Sequence, residues 1–102
     1  ETTDLINTPE RGKAVARTLG DRNGLILLSH GIVTVGPSIE EATINALLLD
    51  KAARAQLLLP GAIPRHWSTD GDALVKRELL LSTGHRDLRW GYLLRRLKKW
   101  KG

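Results

Sequence analysis

Between Leu25 and Gly36 the chain reads LILLSHGIVTVG, so that a histidine and a glycine separate two apolar segments. Short apolar runs of this kind are typical of strands, and glycine suits a backbone that turns sharply or is closely approached. An imidazole at such a junction has a fixed direction and a nitrogen free to bind a metal or move a proton. His30 is therefore the first candidate site residue, although on spacing alone a plain β-hairpin whose loop contains a histidine is the preferred interpretation.

A long helix is predicted directly after this segment. Ser38 and Glu41 form the S-x-x-E pattern of a capping box, and apolar residues then recur at three- and four-residue steps. The expected apolar stripe is Ala42, Ala46, Leu49, Ala53 and Leu57, widened by Leu47, Leu48, Ala52 and Leu58. This pattern predicts a helix buried over much of its surface, and Pro60 with Gly61 predicts its end.

Shorter elements are predicted on both sides. Upstream, Thr8 as cap, Pro9 in the first turn and Gly20 at the end indicate a short helix. The two apolar segments, 25–28 and 32–35, are expected to be strands covered on both faces rather than a solvent-facing hairpin. Downstream, a loop with Pro64, His66 and Trp67 precedes a helix over 72–81, capped by Ser68, Thr69 or Asp70 and ended by Gly84. A last helix is predicted from Asp87 to about Trp100, packing through Trp90, Leu93, Leu94 and Leu97.

Over roughly residues 8–59 this order of features resembles the C-terminal half of the class II aldolase/adducin fold. The shared features are a strand, His30-Gly31, a β-branched strand, Gly36 and a helix that opens with Glu40-Glu41-Ala42. The segment 89–92, Arg-Trp-Gly-Tyr, is similar to the C-terminal helix of the decarboxylase branch, whose members act on aromatic or pyridine dicarboxylates. The resemblance implies an α/β fold, a layered α/β/α sandwich. Residues 1–102 would be its C-terminal part, with a core over 8–60 and a helical segment over 61–102.

The resemblance also implies a divalent metal, Zn or Mn, held by three histidines. Two belong to a His-x-His motif that this sequence lacks, and the third corresponds to His30. A tyrosine near the C-terminus of such aldolases reaches a neighbouring subunit's site and handles protons, which makes Tyr92 a candidate catalytic residue, although packing is the first expected role. His66 and His85 lack metal-ligand spacing to His30; a surface loop and a helix–helix turn are expected for them. Since one imidazole does not make a zinc site, the chain alone is expected to lack the activity.

Two functions of different classes are compatible with these features. The first is the C-terminal part of a metal-dependent lyase, an aldolase, decarboxylase or dehydratase, in which the metal stabilises the charge left by carbon–carbon cleavage. The second is an adducin-like assembly module without metal. The expected partners are the missing N-terminal half or further copies, a homo-oligomer that the resemblance makes a tetramer, and a small-molecule substrate.

Amino-acid composition further limits the classes of protein to which this chain can belong. A chain of 102 residues can bury one small core but not a second domain. With no methionine and about half the length of the fold it resembles, it is expected to be a processed, truncated or split chain. The absence of cysteine excludes a disulfide framework and thiolate sites. No apolar stretch approaches the roughly 20 residues of a bilayer span, and the acidic start is unlike a signal peptide; a soluble, cytoplasmic protein is predicted.

The net charge of +5 is concentrated at one end of the chain. Residues 86–101 hold seven Lys or Arg and one Asp, a net charge of +6, interleaved with Trp90, Tyr92 and Trp100. Binding to nucleic acid or to an anionic membrane surface are alternatives for such a segment. A solvated terminal helix is the preferred interpretation, so neither nucleic acid nor membrane is an expected partner.

Overall fold

A computed structural model describes residues 5–59, 61 and 68–101 of the chain. The elements are α1 (Pro9–Leu19), β1 (Gly24–Leu27), β2 (Gly31–Thr34), α2 (Ile39–Leu57), α3 (Asp70–Leu80) and α4 (Thr83–Lys101). They belong to two compact units, Glu1–Lys51 and Ala52–Gly102. The predictions made for Pro60, Pro64, His66 and Trp67 lie outside the described residues.

The first helix begins and ends as predicted. The Thr8 hydroxyl accepts a hydrogen bond from the backbone N–H of Arg11 at 3.3 Å, and Pro9 occupies the first turn. At the other end Gly20 has φ +57°, and its N–H donates to the Ala16 carbonyl at 3.0 Å. Both ends therefore use backbone chemistry that the residue types already indicate.

The strands β1 and β2 pair antiparallel with each other, with Leu25 opposite Val33 and Leu27 opposite Gly31. Because side chains alternate across a strand, Leu25, Leu27 and Val33 share the half-buried face, and Ile26 and Ile32 the exposed one. The expectation of strands covered on both faces is thus wrong for this chain, and the hairpin alternative is confirmed. Continuous apolar character led to the error, because it does not reveal whether the covering elements belong to the same chain.

The long helix α2 begins as its capping box predicts. The Ser38 hydroxyl accepts from the Glu41 N–H at 3.3 Å, and the Ser38 carbonyl accepts from the Ala42 N–H at 3.0 Å. The prediction of a helix buried over much of its surface is wrong here. Ile44, which lies outside the expected stripe, is the one buried hydrophobic residue among those described, at 5% exposure. Leu47 and Leu57 of the stripe are exposed, since the described contacts of α2 with the hairpin lie along one side of the helix.

The two C-terminal helices are closer together in sequence than predicted. Thr69 caps α3 by accepting from the Asp72 N–H at 3.1 Å, as expected. Gly84, however, does not end that helix. The helix stops at Leu80, and α4 already begins at Thr83, because the Ser82 carbonyl accepts from the Arg86 N–H at 3.0 Å. The prediction of a start at Asp87 is therefore four residues late. None of the helices in the described part of the chain has the length and apolar character that crossing a membrane requires.

Candidate functional site

His30 is the last residue of the three-residue loop, 28–30, that joins the two strands. Its backbone N–H donates to the Leu27 carbonyl at 3.1 Å, which closes a tight turn. Its side chain is exposed. The structure therefore presents an accessible imidazole from a short loop whose backbone is held at both ends by strand pairing.

The residues on either side of His30 have unusual backbone conformations. Ser29 has φ +55°, in the left-handed region that non-glycine residues rarely adopt. Gly31 has φ +150°, and nothing lies within 4 Å of a Cβ built there, so the backbone angle itself accounts for the glycine. A residue such as Ser29 costs on the order of 1–3 kcal/mol and is found preferentially at functional sites. The strain next to His30 thus favours a functional constraint on this loop.

Side-chain hydrogen bonds attach the hairpin to α2. The Thr34 hydroxyl donates to the Ala42 carbonyl at 2.9 Å, and the Asn45 amide donates to the Val35 carbonyl at 2.9 Å. Val35 in turn donates its backbone N–H to the Asn23 carbonyl at 3.0 Å. The strand that follows His30 is therefore fixed to the first turns of a 19-residue helix.

Gly36 allows this close approach. A Cβ built at this position would lie 2.9 Å from the backbone nitrogen of Ala42 and 2.9 Å from the Cβ of Glu41. Such distances are shorter than real Cβ contacts, so only glycine fits without a shift of the helix. A Cβ built on Gly24 would lie 3.3 Å from the Leu49 side chain, a contact that is tight but less severe than the one at Gly36.

A metal centre needs more ligands than the loop provides. Catalytic zinc takes about three protein ligands and leaves one position open. Among residues 5–59, 61 and 68–101, no group of three or more His, Cys, Asp or Glu side chains is placed to hold a metal ion. The chemistry of His30 fits a single ligand of such a centre, and the described residues do not fit a complete one.

The other candidates lie in the second unit. Tyr92 is on α4 with 52% of its surface exposed, so its ring is not part of a packed interior. His85 is in the first turn of α4, not in a helix–helix turn as predicted, and its Nδ1 lies 2.9 Å from the Ser82 hydroxyl. That contact closes the start of the helix and indicates a capping role. His30 belongs to the first unit and therefore shares its unit with neither Tyr92 nor His85.

Sequence reasoning missed the residues that support the loop. Asn45 lies within an apolar pattern, and Thr34 follows two other β-branched residues in its strand, so neither residue is distinguished by its sequence context. A signal for Asn45 does exist, because a polar residue inside an otherwise apolar stretch commonly satisfies a nearby backbone group. Nothing in the spacing indicates the partner carbonyl, which lies ten residues away.

The segment that carries this site matches a known protein family. The family model described as the class II aldolase and adducin N-terminal domain matches residues 2–57, more than half of the chain. The chain belongs to the class II aldolase and adducin family. The match contains His30, the hairpin and α2 to its last residue, so the family segment includes the candidate ligand and the elements that support it.

Curated relatives of this family member include named decarboxylases. The meiotically up-regulated gene 14 protein of Schizosaccharomyces pombe is 36% identical over 59 residues, 58% of this chain and 23% of the relative. The 3,4-dihydroxyphthalate decarboxylase of Rhodococcus jostii is 33% identical over 58 residues, 57% of this chain and 24% of the relative. Decarboxylase NovR of Streptomyces niveus is 33% identical over 60 residues, 59% of this chain and 22% of the relative. The chain thus spans about a quarter of the length of the curated relatives it matches, and no solved structure matches it.

Proposed function

We propose that this family member is the C-terminal part of the aldolase-like domain of a divalent-metal-dependent lyase, an aldolase or a decarboxylase. The observation that carries the proposal is the exposed His30 in a strained hairpin loop inside the family-matched segment. His30 supplies one metal ligand, and the remaining part of the domain supplies the others. This chain together with that remaining part is called the complete protein.

The chain's own contribution is to hold the imidazole in place. The hydrogen bond from the His30 N–H to Leu27 and the positive φ of Ser29 fix the backbone of the loop, and the imidazole that this loop carries would be one ligand of the metal. The hydrogen bonds that Thr34 and Asn45 make between the hairpin and α2 hold the strand that follows. Zn or Mn are the proposed metals, and a bound divalent ion supplies Lewis acidity for the charge that develops on the substrate. Orienting a ligand through such supporting contacts is typical of metal sites.

The complete domain is proposed to be a layered α/β/α sandwich. The exposed hairpin face formed by Ile26 and Ile32 supports this, because an apolar sheet face with free edges is normally covered. The cover would be the missing N-terminal half or another copy, in a homo-oligomer for which the family resemblance suggests a tetramer. We also propose a cytoplasmic location and a small-molecule substrate.

The names of the relatives support a decarboxylase over an aldolase. The test is release of CO₂ from 3,4-dihydroxyphthalate by a chimera in which residues 2–57 replace the matched segment of the Rhodococcus decarboxylase. We expect activity that is lost on chelation and restored by Zn²⁺ or Mn²⁺. A folded chimera that binds metal but cleaves neither this carboxylate nor aldol substrates would overturn the lyase proposal.

An adducin-like assembly module remains the second candidate. The specific observation in its favour is the exposed apolar face of the hairpin, at Ile26 and Ile32, which a second copy could cover. This function predicts a complete protein that assembles without metal and is unaffected by chelation. Its size by light scattering, measured before and after EDTA, separates the two functions.

Tyr92 is proposed to handle protons in the site of a neighbouring subunit. Its 52% exposure supports this role, because a residue used only for packing would be more deeply buried. Tyr92→Phe removes only the hydroxyl, so a proton-transfer role predicts a loss of kcat of about 100-fold or more at unchanged assembly. Unchanged kcat would assign the ring to packing alone.

A further inference from the structure

The last part of α4 has an exposed apolar side. Leu94, Leu97 and Trp100 follow one another at three-residue steps, which places them along one side of the helix. All three are exposed, and Trp100 most of all at 84%. The described hydrogen bond between α3 and α4, from the Arg89 side chain to the Leu80 carbonyl at 3.4 Å, involves the first half of α4 and not its last turns. The sequence favours a solvated terminal helix, but that interpretation does not explain why a tryptophan is exposed to this extent.

The other sides of the same turns are cationic. Arg95 and Lys99 lie opposite the apolar side, with Arg96 and Lys98 flanking them. Lys101, the last residue of the helix, lies on the apolar side between Leu94 and Leu97, where its long side chain can bend toward polar groups. All are exposed, and no acidic residue follows Asp87 in the chain. Among the described residues, no carboxylate pairs with any of the five. Their charge is therefore available to an anionic partner.

We propose that residues 94–101 bind the surface of an anionic phospholipid membrane. Leucine and tryptophan on one side with Lys and Arg on the other is the arrangement of helices that lie in the membrane interface, where Trp is also the preferred aromatic residue. Nucleic acid fits the charge but not the apolar side, because Leu94 and Leu97 cannot stack on bases as aromatic residues do. The expectation of no membrane partner is revised accordingly, and the partner is a surface rather than a bilayer to be spanned.

The test is flotation of the full chain with vesicles at physiological salt, since floating separates bound chain from aggregates. We expect binding to phosphatidylcholine vesicles containing about 30% phosphatidylserine and little to pure phosphatidylcholine. The variant R95Q/R96Q/K98Q/K99Q should lower the partition coefficient by about 100-fold or more, because each cation near an anionic surface contributes several-fold. Circular dichroism of the variant checks that the helix is retained.

A matched control removes the same charge elsewhere. The variant K13Q/R17Q/R22Q/K51Q lowers the net charge equally but changes residues of α1, its following turn and α2. We expect its partition coefficient to stay within about threefold of the parent, because none of the four residues belongs to the helix that binds the membrane. Equal losses of partition coefficient in the two variants would show that binding depends only on the net charge of the chain, and would overturn the proposal.

The apolar side is tested by a second pair. Trp100→Ala should weaken binding by about tenfold and remove the blue shift of tryptophan emission on addition of vesicles, since the indole leaves water on binding. Leu88→Ala is the control, because Leu88 is also highly exposed, at 75%, but lies on the cationic side of α4. Equal effects of the two changes, or sub-micromolar binding to single-stranded nucleic acid without vesicle binding, would overturn the membrane assignment.

Discussion

Gly36 lies at the point where β2 leads into α2, and the absence of a side chain there lets the two elements approach. We expect Gly36→Ala to lower the free energy of unfolding by about 1–3 kcal/mol, because the added methyl group meets the backbone of Ala42 and must displace it. Urea unfolding at low protein concentration measures the change.

Gly12→Ala is the matched control for this prediction. Gly12 is inside α1, and nothing lies within 4 Å of a Cβ built on it. The same substitution should therefore stabilise the chain by up to about 1 kcal/mol, because alanine is the better helix former. If both glycines respond alike, the close approach at Gly36 does not limit the fold.

The capping residues were predictable from sequence, and the buried residue was not. Thr8, Ser38 and Thr69 are caps because the reasons lie within three residues of each. Burial of Ile44 depends on which side of α2 meets the hairpin, and that depends on bonds between distant residues. A local pattern shows that a stripe exists but not which part of it finds a neighbour.

Among the elements, the joint between hairpin and α2 depends on two side chains. Thr34→Val keeps the shape but removes the donor to Ala42, and Asn45→Ala removes the donor to Val35. Each hydrogen bond contributes about 0.5–1.5 kcal/mol. The double variant should therefore increase amide exchange in β2 by about one to two orders of magnitude if exchange follows local opening.

Thr43→Ala is the control within the same helix. The Thr43 hydroxyl donates to the Ile39 carbonyl at 2.7 Å, so its bond stays inside α2 and does not reach the hairpin. Exchange in β2 should stay within a few-fold of the parent, since surface changes of this kind are usually within about 0.5 kcal/mol. An equal increase in this variant would remove the assigned role of Thr34 and Asn45.

The helix α4 allows packing and charge to be separated. Trp90 and Leu93 are half-buried, whereas Arg95, Arg96, Lys98 and Lys99 are exposed. Trp90→Ala should cost about 1–3 kcal/mol, less than the roughly 3–5 kcal/mol of a fully buried aromatic residue. Neutralising the four cations should change stability by less than about 0.5 kcal/mol and leave the proposed lyase activity of the complete protein nearly unchanged.

The same charge variant also tests the nucleic-acid alternative. No tight binding to nucleic acid is expected at physiological salt for the parent chain. A sub-micromolar, salt-sensitive complex in a filter-binding assay, weakened in the charge variant, would reverse the order of the two interpretations.

Helix starts and ends were predictable where one strong signal acts, as at Ser38, and were missed where two signals compete. Gly84 suggested an end, but the Ser82 carbonyl and hydroxyl begin a new helix around it. Glycine near a helix start costs little because the first turn is held by capping rather than by interior hydrogen bonds.

At the scale of the whole molecule, the exposed apolar surface should drive self-association. Ile44 is the single buried hydrophobic residue among those described, and Ile26 with Ile32 opposite it in the hairpin is open to solvent. Residues 1–102 expressed alone should oligomerise or aggregate, because free strand edges and apolar faces associate. Light scattering that showed a stable monomer with one cooperative unfolding transition would contradict this.

The sandwich itself could be inferred only from the resemblance. Two four-residue strands form a hairpin on their own, and nothing in their composition indicates how many further strands they join. The match over residues 2–57 shows family membership. The chain covers only about a quarter of each relative, and the layers that would surround this segment belong to the remaining three quarters.

The most direct measurement is the metal content of the complete protein with His30→Ala against His85→Ala. Both residues are exposed, but only His30 lies in the family-matched segment, and His85 contacts the cap of α4. We expect elemental analysis to find Zn or Mn in the parent and in His85→Ala, and neither metal in His30→Ala with the fold retained, because the site would lose one of about three protein ligands. Unchanged metal in a folded His30→Ala variant would remove His30 from the site and with it the central claim.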